Sequence, residues 1–322
     1  MRVPAPAKIN LHLRVGPRQA DGFHPLLTWM TTIGLFDTLT LVRRPMVQDQ
    51  TAASRTGSSH PRFSLSCSDA GLPVDGSNLV TRAAKALADA LVQHGSQVGE
   101  GLTAASSTQE EASAFLTKRI PRGAGLGGGS SDAAATLIAL NRLWKLNWPL
   151  ERLMSIAGDL GSDVPFFLSG NSSVCSGRGE HVRPIDPPAI KWATLITPAF
   201  EIATAAVYRR FDEMGLGSDQ SLNDEPDWSA WTKCSAKKLM PLLVNDLEPA
   251  AFALRPELGE LKAKLERELS QVVRMSGSGS SLFLLCDDHD EAKSRASWVR
   301  EKLGIGAMEV ELAPARVSDV SI

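Results

Sequence analysis

Five glycines fall within seven residues in the run Gly123-Ala124-Gly125-Leu126-Gly127-Gly128-Gly129, which Pro121 and Arg122 precede and Ser130 and Ser131 follow. Without Cβ atoms, the backbone N–H groups of such a run can turn inward and approach a ligand closely. The next segment carries Ala133, Leu137, Leu140 and Trp144 at the spacing of one helix face. Unpaired N–H groups and the dipole at a helix start both favour negative charge, so the expected ligand is a nucleotide polyphosphate. Gly123, Gly125 and Gly128 formally match the dinucleotide-binding pattern G-x-G-x-x-G. That fold wants the loop after its first strand, with an acidic residue about twenty positions on. Here the loop lies more than a hundred residues into the chain, and Asn141-Arg142-Leu143-Trp144-Lys145 brings no acid. A P-loop would need Gly-Lys-Ser/Thr, which does not follow this run. A flexible linker is the bland alternative, but a strand-like stretch and a helix clamp the run from both sides.

Other residues able to do chemistry are spread along the chain. Ile9, Leu11, Leu13 and Val15 alternate with Asn10, His12 and Arg14, the period of a half-buried strand, so Lys8 and Asn10 share its polar face. Ala20-Asp21-Gly22-Phe23-His24 reads as an exposed turn presenting an aromatic ring beside an imidazole. Asp163 lies just past a helix stop at Gly161 and before Pro165, where aspartate commonly caps a helix or forms a turn. Asn78 reads as a helix cap, Lys118 as a surface charge, and Tyr208, the one tyrosine of the chain, as core packing.

The elements that must position these residues are mixed in order. Strand-like alternation recurs at Thr38 to Val42 and at Phe63, Leu65 and Cys67, and an amphipathic helix is expected from Asn78 to Val92. A helix from Leu150 to Leu160 and a strand from Phe166 to Val174 follow, with a boundary near Pro184, Pro187 and Pro188. The second half predicts strands at Trp192 to Ile196, Val272 to Met275, Leu282 to Cys286 and Met308 to Leu312. Helices are expected at Thr204 to Met214, around Leu258 to Leu269, and at Glu291 to Leu303. This order predicts an α+β fold, and the length of 322 residues suits two domains, 1–184 and 185–322. Segments 46–62 and 95–113 are polar and aperiodic and read as inserted loops, and 215–235 reads as acidic surface.

Composition narrows the class further. A net charge of −2 offers no field for nucleic acid or an anionic membrane. Cys67, Cys175, Cys234 and Cys286 are scattered without a C-x-x-C and read as small hydrophobes rather than disulfide partners or zinc ligands, so no metal cluster is expected. The start, Met1-Arg2-Val3-Pro4-Ala5-Pro6, has no apolar secretory core, and the expected location is cytoplasmic. Oligomeric state is not legible.

Pro6-Ala7-Lys8-Ile9-Asn10, the glycine–serine loop and Ser276-Gly277-Ser278-Gly279, in that order, resemble the superfamily of small-molecule kinases that includes galactokinase, homoserine kinase and mevalonate kinase. Asp21-Gly22-Phe23-His24 and Gly161-Ser162-Asp163-Val164-Pro165-Phe166-Phe167 look like the 4-diphosphocytidyl-2-C-methyl-D-erythritol kinase family within it. The resemblance implies an N-terminal domain like that of ribosomal protein S5 and a ferredoxin-like C-terminal domain, with the active site in the cleft between them. It implies ATP, with Mg2+, as phosphoryl donor and the 2-hydroxyl of the cytidine diphosphate compound as acceptor. It assigns Asp163 as catalytic base and Lys8 as its cationic partner. Pro121 through Ser131, with Asn78 and Lys118, would bind ATP. Asn10, Phe23, His24, Thr204 and Tyr208 would bind the substrate, whose pyrimidine stacks on aromatic rings and is read along one edge by histidine. Ser276 to Ser281 would support the phosphate loop. The rivals are a superfamily kinase acting on homoserine or a mevalonate-type alcohol, which have no pyrimidine to stack, and a catalytically inactive nucleotide binder, against which the retention of Lys8 and Asp163 argues.

Overall fold

The structure, a computed structural model, describes residues 1–45, 62–98 and 110–315. Strand β1 (Arg2–Val15) runs antiparallel to the twenty-residue β2 (Leu26–Pro45). β2 is long enough to serve two further partners in succession. Its start, Leu26–Thr31, pairs with β5 (Ser172–Gly177), and its end, Thr38–Pro45, pairs with β4 (Glu110–Thr117). β3 (Arg62–Cys67) lies parallel to β4, and β6 (His181–Pro184) closes the other edge, giving the order β3-β4-β2-β5-β6 with β1 beside β2. Helices α1 (Leu79–Val98), α2 (Gly128–Leu143), α3 (Leu150–Leu160) and α4 (Val164–Ser169) pack on this sheet through an apolar cluster. Ala133, Ala134 and Ala139 of α2 are buried there, and their small side chains let the helix approach the strands closely.

The second sheet has the order β10-β7-β9-β8, antiparallel throughout, from β7 (Trp192–Thr197), β8 (Arg274–Met275), β9 (Leu282–Cys286) and β10 (Gly306–Glu311). Around it lie α5 (Thr204–Glu213), the short α6 (Asp219–Asn223), α7 (Trp228–Trp231) and α8 (Ala236–Leu239), then α9 (Glu248–Leu254), α10 (Pro256–Leu269) and α11 (His289–Leu303). The two sheets are tied together. The Leu13 N–H donates to the Val244 carbonyl at 2.9 Å, the Asp246 N–H donates to the Leu13 carbonyl at 3.0 Å, and one apolar cluster joins Ile9, Leu11 and Leu13 to Leu195 and Phe283.

Several expectations need correction. Phe166 to Val174 is not one strand. Val164–Ser169 is helical with Pro165 in its first turn, and the strand begins only at Ser172. A short apolar run fits a buried helix as well as a buried strand, and Pro165 is the feature that favours helix. The strand at Thr38–Val42 is the far end of β2, whose first half is buried on both faces and so shows no alternation. β1 is likewise not half-buried. Lys8, Asn10 and His12 are 3%, 5% and 2% exposed, because the polar face meets the cleft and the second sheet rather than water. Segment 215–235 hides a buried Trp228, which meets Trp29 and Trp231 edge-on at 5.9 and 5.5 Å. Of the inserted segments, 46–61 and 99–109 lie outside the described residues; Arg62 already belongs to β3, and 95–98 and 110–113 belong to α1 and β4. All four cysteines are free, with Cys175 and Cys286 buried.

Candidate active site

The stretch from Lys118 to Gly127 carries the chain from β4 to α2. Gly123, Gly125 and Gly127 adopt φ of +56°, +74° and +68°, backbone that glycine enters freely and L side chains resist. At Gly125 space forbids a side chain as well, since a Cβ would sit 2.1 Å from the Ser276 carbonyl oxygen. α2 begins at Gly128 with no side-chain cap, so its first N–H groups stay open to a ligand. Pro121 to Ser130 line without interruption a cleft of about 1120 Å³, roomy enough for two small molecules side by side. Ser131 departs from expectation. It is 1% exposed, its Oγ has no partner, and it does not line the cleft. Successive residues of a helix point about 100° apart, so Ser130 and Ser131 do not share one face.

The first and third motifs converge on this loop. The Lys8 N–H donates to the Leu126 carbonyl at 3.0 Å, and Lys8 Nζ donates to the Gly125 carbonyl at 3.1 Å and to Asn10 Oδ1 at 2.5 Å. Asn10 Nδ2 donates to Thr28 Oγ1 at 2.9 Å, which in turn donates to the His12 carbonyl at 2.7 Å. Ser276 Oγ accepts from the Asn10 N–H at 3.2 Å and donates to the Gly125 carbonyl at 3.0 Å. Asn245 Nδ2 donates to the carbonyls of Met275 and Gly277 and pins the same turn from behind. Asp163 stands at the start of α4, but its side chain makes no capping bond there. Its Oδ2 lies 3.4 Å from Lys8 Nζ, and it keeps about a third of its side-chain surface open to the cleft. The turn-former reading of Asp163 therefore gives way to an ion pair at the cradle mouth.

The glycine-loop end of the cleft holds a charge cluster that sequence reasoning missed. Lys118, read as a surface charge, is largely buried and bonds both to Asp37 and, at 2.8 Å, to Asp132. Asp37 also accepts from the N–H groups of Arg119 and Ile120 at 2.5 and 2.9 Å, so it fixes the approach to the glycine run. Burial pulls the Lys118 ammonium down, but the attraction of Asp132 and Asp37 outweighs that and leaves it raised. One ammonium cannot balance two buried carboxylates, and burial pushes Asp132 up to about 7, against the pull of Lys118 and with the repulsion of Asp37. Asp37 and Lys118 are 81 positions apart, beyond any local pattern; Asp132, next to the two serines, is the one member that spacing could have flagged. Asn78 caps α1 as its local sequence suggests, accepting from the Val80 N–H at 2.9 Å, and also lines the cleft.

The other end of the cleft gathers Phe23, His24, Thr204 and Tyr208. Phe23 is half exposed on its turn, where Asp21 Oδ1 accepts the Phe23 N–H at 2.9 Å and Arg178 lays its guanidinium 4.1 Å from the ring centre. His24 is buried against Tyr208, with ring centres 5.0 Å apart, and its Nε2 meets Asp212 Oδ1 at 2.7 Å. Burial first and the nearby Asp163 second push the Tyr208 phenol well above its ordinary value, so it stays protonated. Thr204 Oγ1 and Ser278 Oγ lie 2.8 Å apart and link α5 to the third motif. Asp212 and Arg178 were not singled out from the sequence, since neither stands in a motif.

A glycine cradle at an uncapped helix start, with a lysine–aspartate pair at its mouth, is the site of a small-molecule kinase. The family models for the GHMP kinases N terminal domain and the GHMP kinases C terminal match residues 78–171 and 234–304, and the chain belongs to that family. Within it the chain belongs with the 4-diphosphocytidyl-2-C-methyl-D-erythritol kinases. It is 36% identical over 300 residues to that kinase of a Nocardioides species, covering 91% of each chain, and 35% identical over 283 residues to that of Bacillus subtilis, covering 87% of this chain and 86% of the other. A crystal structure of 4-(cytidine 5'-diphospho)-2C-methyl-D-erythritol kinase superposes with a TM-score of 0.72 at 33% identity, over 97% of this chain and 99% of that one. Homoserine kinase from Cytophaga hutchinsonii, at 18% identity and a TM-score of 0.62, shares the fold. The expected α+β GHMP kinase architecture is thereby borne out. Among the described residues no helix is long and apolar enough to cross a membrane.

Proposed function

We infer that this cleft transfers the γ-phosphoryl group of ATP to the 2-hydroxyl of 4-diphosphocytidyl-2-C-methyl-D-erythritol, with residues 1–184 and 185–322 as the two halves that close on it. The observation that carries the reading is the 3.4 Å pair of Lys8 Nζ and Asp163 Oδ2, set between the glycine cradle and the Phe23–His24 turn. In the transfer, the bond from the γ-phosphorus to its bridging oxygen breaks to leave ADP. The alcohol oxygen forms the new P–O bond, and its proton passes to the Asp163 carboxylate. Lys8, held by Asn10 and the Gly125 carbonyl beside that carboxylate, offsets charge developing on the attacking oxygen. The backbone N–H groups from Gly125 to Ser130 orient the polyphosphate, and most of the acceleration comes from placing the reactants.

Mg2+ bound to the nucleotide would neutralise its β- and γ-oxygens. Ser130, which lines the cleft, would offer it a hydroxyl oxygen. Phe23 and Tyr208 offer rings to the pyrimidine, His24 its edge, and Thr204 a hydroxyl. Partners in this reading are the nucleotide and the small-molecule cytidine diphosphate substrate, with no nucleic acid or membrane, in the cytoplasm. The test is ADP release with the cytidine compound against homoserine and mevalonate. Asp163→Asn should lower kcat by about 10²–10⁴-fold while calorimetry shows ATP binding unchanged. Turnover near that of the unsubstituted enzyme would remove Asp163 from the base role, and equal turnover of homoserine would remove the substrate reading.

A further inference from the structure

The contact between His24 and Asp212 has a chemical consequence for which pyrimidine the cleft accepts. His24 lies on the turn after Asp21-Gly22, and Asp212 lies on α5, 188 residues away. Tyr208, Phe211 and Asp212 stand at i, i+3 and i+4 on that helix, so all three meet one object, the His24 ring. Tyr208 approaches it at 5.0 Å and Phe211 edge-on at 5.8 Å, which fixes the ring plane. Asp212 Oδ1 lies 2.7 Å from Nε2, while Arg18 Nη1 stands 3.9 Å from Oδ2. The His24 side chain is 6% exposed, yet His24 lines the cleft.

An ionised carboxylate has acceptors and no donor, so the shared proton sits on Nε2. In the neutral imidazole, Nδ1 is then an acceptor. The pyrimidines differ at this point, since cytosine carries a 4-amino donor where uracil carries a 4-oxo acceptor. We propose that Asp212 is a positioning residue: through Nε2 it locks His24 in the tautomer whose Nδ1 accepts from a 4-aminopyrimidine, and so makes the cleft reject the 4-oxo base. Against uracil, two acceptors would face each other in a mostly buried corner with no proton between them, and neither would recover its water. This deepens the functional reading above and rests on it for the identity of the substrate.

The substitution that tests it is Asp212→Asn, which keeps size and polarity. An amide can accept from Nε2–H or donate to a bare Nε2, so it allows both tautomers. With the unsubstituted enzyme, the cytidine compound should be preferred over its uridine analogue by tenfold or more in kcat/KM. In Asp212→Asn that preference should shrink at least fivefold, through a higher KM for cytidine, with kcat changed less than about threefold. Nitrogen-15 NMR of the imidazoles, with the His24 signals assigned by their loss in His24→Gln, should show Nε2–H in the unsubstituted protein and a mixture of tautomers in Asp212→Asn. An Nδ1–H tautomer in the unsubstituted protein would overturn the proposal, as would a variant with an unchanged cytidine-to-uridine ratio. If instead the enzyme turned over neither nucleotide compound, the functional reading would fall, and the NMR tautomer would still decide whether Asp212 sets the state of His24.

Discussion

The two ends of the cleft are built from different materials. The end proposed for the nucleotide is backbone, with Gly125 wedged against Ser276 and a helix start left uncapped, braced beneath by Lys118, Asp37 and Asp132. The end proposed for the substrate is side chains, with Phe23 and His24 on a turn met by Tyr208 and Asp212 from α5. A polyphosphate carries charge that any N–H group can answer, so the end that binds it needs close approach and rigidity. A base must be told from other bases, and only side chains with directional donors and acceptors do that. The first design tolerates no change at its contact points; the second should lose affinity in steps.

The sharpest test of that contrast is Gly125→Ala. A Cβ there would lie 2.1 Å from a backbone oxygen, and the +74° φ would be strained as well. The Ser276 turn cannot retreat easily, because Asn245 holds Met275 and Gly277 on either side of it. The expected cost is about 3–5 kcal/mol of folding stability, read from urea unfolding, with ATP binding lost. A variant that kept both would show the loop to be looser than a backbone cradle should be.

The same contrast explains what the sequence made legible. Close backbone approach demands glycine, so the loop was visible as a local run at Gly123–Gly129. The pairing of Lys8 with Asp163 joins residues 155 positions apart, and their roles entered through resemblance to a family rather than through spacing. Asp37, Asp212 and Arg178 act through partners far along the chain, and no local period marks them. The strand reading at Phe166 failed for a related reason. A six-residue apolar stretch is compatible with either period, and Pro165 in the first turn, together with packing between α2 and the sheet, selects the helix. The long β2 hid its first half because it is buried on both faces.

A second test bears on the brace beneath the loop. Asp132 has its proton affinity raised from an ordinary carboxylate value to about 7, chiefly by burial. A group raised in the folded state gives stability that is complete below its unfolded value, near 4, and is lost as pH climbs through 7. Asp132→Asn cannot ionise and escapes that loss while keeping a polar partner for Lys118. Between pH 5 and pH 8 the unsubstituted protein should therefore lose roughly 2 kcal/mol relative to the variant. Parallel stability curves for the two proteins would mean that Lys118 balances both carboxylates at neutral pH. The nucleotide end would then be braced by charge alone rather than by a shared proton.

The smallest effect should come from the substrate end. Phe23 is 50% exposed and its ring is already covered by Arg178, which Asp21 holds at 2.6 Å. An incoming pyrimidine must displace or share that cation, so stacking contributes toward the low end of the usual range of about 1–3 kcal/mol per base. Phe23→Ala should raise KM for the cytidine compound about five- to tenfold and leave kcat and the KM for ATP within twofold. Because the ring buries little of the core, thermal unfolding should shift by no more than a degree or two, about 0.5 kcal/mol or less. A fall in kcat equal to the rise in KM would mean that Phe23 helps to place the 2-hydroxyl against Asp163 in the transition state. The division between an end that positions and an end that recognises would then have to be redrawn along the acceptor itself.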